Sequence, residues 1–114
     1  MRLMVVEDDA LAGRSLCRWL RREGHQVVLV SRLDDALRLV EGEPEFDGVL
    51  TDVELEDGAS GLELLEVLRR QKPTQLKVIM SGAAMPTHVT LTPGVETFFE
   101  KPLRLEALSA LLQR

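Results

Sequence analysis

Short apolar runs and stretches of helical spacing take turns along this 114-residue chain. RLMVVE (2–7) is an apolar run that ends in acid, and LAGRSLCRWLRREG (11–24) then sets its apolar residues at helical spacing, with Gly24 as a stop. The pair repeats: QVVLVS (26–31) predicts a second strand and LDDALRLVEG (33–42) a second helix ending at Gly42. FDGVLT (46–51) predicts a third strand, GLELLEVLRRQ (61–71) a third helix stopped by Pro73, and LKVIMS (76–81) a fourth strand. VETFFE (95–100) predicts a fifth strand. LRLEALSALLQR (103–114), led by Pro102, predicts a closing helix whose core stripe is Leu105, Leu108 and Leu112.

Nearly all-apolar strands alternating with helices are the pattern of a parallel sheet covered on both faces. The expected fold class is α/β: a doubly wound, five-stranded parallel sheet in the order 2-1-3-4-5. One segment resists the pattern. AAMPTHVTLTPG (83–94) falls where a fourth helix belongs, yet it is short, carries Pro86 and Pro93, and is rich in β-branched residues. Pro86 fits a first helical turn, but the rest has little helix propensity. An atypical fourth helix is expected, shortened, shifted or partly disordered.

By length, residues 1–114 make one domain. Apolar residues at 45% and charged residues at 29% match a globular protein rather than a disordered or fibrous one. No stretch approaches the roughly 18 uninterrupted apolar residues of a membrane span. MRLMVVEDD runs straight into acid, unlike a signal or transit peptide, so a cytoplasmic protein is expected. Cys17 has no partner for an internal disulfide, and with only His25 and His88 no zinc site can be assembled. A net charge of −5 argues against direct nucleic-acid binding, which needs a clustered positive face.

In doubly wound sheets, ligands sit beyond the carboxyl ends of the strands, where strands 1 and 3 diverge. Those ends carry Glu7, Asp8 and Asp9 on one strand and Asp52, in GVLTDVE, on the other. Gathering carboxylates is costly unless a cation neutralises them or one takes up a proton. Magnesium suits such a place, because it prefers a few carboxylate oxygens and leaves positions for water and phosphate. The next two strands end in Ser81 and, just beyond Glu100, Lys101. An aspartate beside a metal and a lysine is equipped to accept a phosphoryl group, a reaction governed by positioning and charge neutralisation. Ser81 can then donate to a phosphoryl oxygen.

With Glu7 and Asp8 in VVEDD, Asp52 in LTDVE, Ser81 in MSGAA and Lys101–Pro102 in EKP, the chain resembles a receiver domain of the two-component response-regulator family over essentially its whole length. The topological rule applied above was framed partly on that family, so the strand order follows from the resemblance as much as from the pattern. The resemblance implies a flavodoxin-like receiver fold and a bacterial signalling protein that is not an enzyme but assists its own phosphorylation and dephosphorylation. It implies Asp52 as phosphoacceptor and Mg2+ as cofactor. Asp8 would be a direct ligand, Glu7 would hold a metal-bound water, and Asp52 and the backbone carbonyl of Glu54 would complete the set. Phe98 matches the switch aromatic that follows the Ser81 hydroxyl, and the peptide bond before Pro102 is expected to be cis. The implied partners are a sensor histidine kinase or histidine phosphotransfer protein as donor, a downstream protein, and a second copy in a phosphorylation-dependent dimer.

Plainer roles compete at several positions. Asp9 is placed to cap the first helix. Arg14, Arg18, Arg21 and Arg22 form a stripe whose default is a solvated face, with an acidic partner surface as the second reading. Trp19 is expected to be partly buried against the sheet. The loop VELEDGAS (53–60) is one residue longer than usual in receivers and has Glu56 where a proline is common. A pseudo-receiver that binds proteins without being phosphorylated is the alternative function. An aspartate-nucleophile phosphohydrolase would need a second aspartate where this chain has Glu54, and a cap domain for which there is no room.

Overall fold

A computed structural model of the chain describes residues 1–113, with Asp57 described by its backbone alone. Five strands, β1 (Arg2–Val6), β2 (Gln26–Val30), β3 (Gly48–Asp52), β4 (Leu76–Ser81) and β5 (Glu96–Glu100), form one parallel sheet in the order β2-β1-β3-β4-β5. The helices are α1 (Ala10–Arg22), α2 (Leu33–Val40), α3 (Gly61–Gln71) and α4 (Leu105–Leu112), with a short 3-10 turn at Glu56–Gly58. The class and strand order are those expected from the pattern. Arg114, the predicted end of the closing helix, lies outside the described residues.

Side chains on a strand alternate between faces, and here both faces are apolar. Leu3, Val5, Leu50, Val78 and Met80 pack against Cys17 and Leu20 of α1 and Leu108 and Leu112 of α4. Met4, Val6 and Val49 pack on the opposite face against Ala36 and Val40 of α2 and Leu64 and Leu68 of α3. Two packed faces are why the strands read as continuous apolar runs. Trp19 is half-buried against the first of these clusters. Leu105 is not part of it: it opens α4 at the margin of the buried stripe and is 38% exposed, while Leu103 and Leu111 pack there instead.

No helix forms between β4 and β5. Residues 82–95 run irregularly through two turns: in the first the Val89 N–H donates to the Pro86 carbonyl at 3.1 Å, and in the second the Val95 and Glu96 N–H groups donate to the Thr92 carbonyl at 3.4 and 2.9 Å. The expected fourth helix is therefore absent rather than shifted, because two prolines and the β-branched residues leave no run that can sustain helical bonding. Arg69 of α3 ties this link down. Its Nε and Nη2 donate to Glu96 Oε2 and Oε1 at 2.9 and 2.7 Å, and Nη2 also reaches the Thr90 carbonyl at 2.6 Å. The Thr92 N–H donates to Glu96 Oε1 at 2.9 Å. Beside it, buried Lys77 in β4 donates to the carbonyls of Lys72 and Gln75, satisfying groups just past the end of α3.

Candidate functional site

Strand register brings the candidate residues level with one another. Val6 pairs with Thr51, Asp52 with Met80 and Ser81 with Glu100, so Glu7, Asp52, Ser81 and Lys101 emerge along one carboxyl-terminal edge. Asp52 is the last residue of β3 itself, one position later than the predicted strand end. It is held there by tight packing against the start of α3. A Cβ on Gly61 would lie 1.9 Å from the Asp52 carbonyl oxygen and 2.8 Å from Thr51 Oγ1, so only glycine lets the helix approach this closely. The Gly61 N–H donates to the Val53 carbonyl at 2.8 Å, and Glu54 bridges Ser60 across the intervening loop.

Carboxylate oxygens of Glu7, Asp8 and Asp52 lie within 4.8 Å of one another. Glu7 and Asp52 are almost fully buried, at 4% and 5% exposure, and Asp8 is half-buried. Lys101 sits between the two buried acids, its Nζ donating to Glu7 Oε2 and Asp52 Oδ2 at 2.8 Å each. The peptide bond that follows it, Lys101–Pro102, is cis. Burial pushes the Asp52 carboxyl up, against the pull of Lys101 and with the help of the Glu7 carboxylate, to about 6. Burial acts on Glu7 in the same direction, but the bonds from Lys101 and the Asp9 N–H outweigh it and hold that carboxyl below the usual value. Burial would lower the Lys101 ammonium, but its two carboxylate partners keep it above the ordinary lysine value. Three acids with one ammonium among them form a negatively charged cleft of hard oxygen donors, a set that fits a small divalent cation such as magnesium.

Asp9 is separate from this group: its Oδ1 accepts from the N–H groups of Leu11 and Ala12 and caps α1. Ser81 is buried at the edge, donating to Glu54 Oε1 at 2.8 Å and accepting from the Ala83 N–H at 3.0 Å. Sequence reasoning named Glu54 for its backbone carbonyl alone. No spacing in the sequence signals the role of its side chain, because Glu54 lies beyond the paired residues of β3. Phe98 is half-buried against Val53, Leu65 and Ile79. Gly82 and Ala83 beside Ser81 are exposed. The α1 arginines line a groove of about 570 Å3 over Cys17 and Leu29 on the β2 flank, and among the described residues none of the four is in an ion pair.

Residues 3–113 match the family model of the response regulator receiver domain. The chain is 34% identical over 115 residues to the transcriptional regulatory protein TcrA of Mycobacterium tuberculosis, covering 99% of this chain and 45% of that protein. It is 34% identical over 114 residues to the two-component response regulator PhoP of Pseudomonas aeruginosa, covering 98% and 50%. The chain thus spans half or less of the length of these relatives. Among solved structures, a response regulator protein from Burkholderia pseudomallei with a phosphorylated aspartic acid, calcium ion and citrate superposes with a TM-score of 0.84 at 27% identity, over 98% of this chain and 66% of that one. Among the described residues no helix is long and apolar enough to cross a membrane. By family match and fold together, the chain belongs to the response regulator receiver domain family of two-component signalling.

Proposed function

We propose that residues 1–114 form a single receiver domain in which Asp52 takes a phosphoryl group from a phosphohistidine on a sensor kinase or phosphotransfer protein. The observation that carries this reading is the placement of Asp52: nearly buried, beside two further carboxylates, with a lysine ammonium 2.8 Å from its Oδ2. A fold does not gather such costly charge without a use for it. In the transfer, the phosphorus–nitrogen bond of the donor breaks and a phosphorus–oxygen bond to Asp52 forms.

Asp8, Asp52 and the Glu54 carbonyl would hold a magnesium ion, with Glu7 orienting a water on it. The ion supplies positive charge that offsets the phosphoryl oxygens. Lys101 adds a second cation, half-buried and already hydrogen-bonded to the acceptor carboxylate. The Ser81 hydroxyl, one strand over, would donate to the attached group, and Phe98, packed on Val53, Leu65 and Ile79, would follow it and pass the change to a downstream protein. The Burkholderia pseudomallei structure, which carries a phosphorylated aspartic acid and a calcium ion, supports the same assignment here.

The link at 82–95 favours one alternative, a protein-interaction module that is never phosphorylated, because the surface that helix-bearing receivers use for dimers is remade in this chain. One experiment separates the two. Incubation with magnesium and a small-molecule phosphodonor should add a single phosphoryl group by intact mass, and the gain should vanish in Asp52→Asn and without metal. No gain, together with no binding of magnesium or beryllium fluoride, would establish the interaction module instead.

A further inference from the structure

Ser81 has a single hydroxyl hydrogen, and in this structure Glu54 holds it. Ser81 Oγ donates to Glu54 Oε1 at 2.8 Å while accepting from the Ala83 N–H at 3.0 Å. β3 and β4 end side by side, Asp52 pairing with Met80, and the loop that leaves β3 brings the Glu54 side chain to Ser81 at the end of β4. Ser81 is 1% exposed, whereas Glu54 is exposed to solvent and is in no ion pair among the described residues. An exposed glutamate ordinarily leaves its carboxylate to water. Here one oxygen is turned back onto a buried hydroxyl, in the charge-assisted form that makes such bonds short and strong.

A hydroxyl donates one hydrogen bond at a time. Ser81 therefore cannot serve a phosphoryl group on Asp52 while it serves Glu54. Resting on the phosphoacceptor reading above, we infer that the Glu54 carboxylate competes with the phosphorylated aspartate for the Ser81 hydroxyl. Glu54 is in this sense a positioning residue: it stabilises the resting arrangement and limits how far phosphorylation shifts the domain. Its negative charge near the acceptor opposes an incoming anion as well. The two effects have the same sign, but only the first passes through Ser81, which makes them separable.

The test is a double-mutant cycle on the full chain with saturating magnesium, reading beryllium fluoride affinity in wild type, Glu54→Ala, Ser81→Ala and the double variant. Glu54→Ala should tighten binding by about fivefold, the size of one net hydrogen bond to a charged but solvated acceptor. In the Ser81→Ala background the same substitution should tighten binding by clearly less, because only the charge effect is left to remove. Equal tightening in both backgrounds would assign the effect to charge alone and overturn the competition, as would no tightening at all. The resting contact is read independently of any phosphoryl chemistry, by the amide resonance of Ala83 in metal-free protein. That resonance should move in Glu54→Ala and move less in Glu54→Gln, which keeps an acceptor oxygen; an unmoved resonance in Glu54→Ala overturns the inference. If the resonance moves but no variant binds beryllium fluoride, the phosphoacceptor reading fails, and the competition fails with it.

Discussion

The Asp52 carboxyl titrates near 6 in the folded protein against an ordinary value of 3.8, with burial as the main cause. A carboxyl whose folded value is raised favours the fold when protonated. Its contribution is complete below about 3.8 and is lost as pH rises through about 6. Metal-free Asp52→Asn should therefore be more stable than wild type at pH 7.5, by about 1–3 kcal/mol, since one pK unit corresponds to about 1.4 kcal/mol and the substitution also gives up the charged bond to Lys101. Urea unfolding at pH 7.5 and pH 4 checks this: the advantage should shrink at pH 4, and an equal advantage at both would refute it. The pairing of Asp52 with Lys101 was legible because both close apolar strands, and register does the rest. The bond between Ser81 and Glu54 was not, since it depends on a side-chain rotamer that no spacing encodes.

The start of α3 and the end of β3 behave as one part, because Gly61 lets helix backbone lie against the Asp52 carbonyl. Gly61→Ala would drive a methyl to 1.9 Å from that oxygen, so strand or helix must move. A loss of about 2–4 kcal/mol is expected by denaturant unfolding, with phosphoryl uptake falling alongside; a fully stable variant with normal uptake would contradict the tight approach. The link between β4 and β5 depends on a different contact. Arg69 holds the Glu96 carboxyl below its usual value, against the opposing effect of burial. That contribution is present above about 4.5 and is lost as pH falls through the lowered folded value. Glu96→Ala should cost about 2–3 kcal/mol at neutral pH, less than for a fully buried pair because Arg69 is partly solvated, and the cost should shrink in acid. Calorimetric melting at pH 7 and pH 3 measures both. The missing helix was foreshadowed by Pro86 and Pro93. Its replacement was not, since Arg69 and Glu96 lie 27 residues apart and each reads singly as a surface charge.

Across the whole molecule, the sheet order was legible because each strand is nearly all apolar and each is followed by helical spacing or, once, by a stretch that cannot be helical. Both faces of the sheet hold their own cluster, and the charged edge is confined to one end. The link at 82–95 joins this frame at few points: the Thr90 carbonyl accepts from Arg69, the Thr92 N–H donates to Glu96 and the Val95 carbonyl accepts from the Lys77 N–H, while Thr87 and His88 are exposed. A segment tethered so sparsely is a seam into which foreign sequence can be sewn. Doubling its length costs only about 0.6 kcal/mol in loop closure. A flexible insert between Thr87 and His88 should leave the melting temperature within a few degrees of the parent, and a collapse of the melt would show the seam to be structural. Receivers whose corresponding stretch is a packed helix offer no such opening. Here evolution or an engineer could graft a recognition peptide next to the acidic edge without redrawing the sheet.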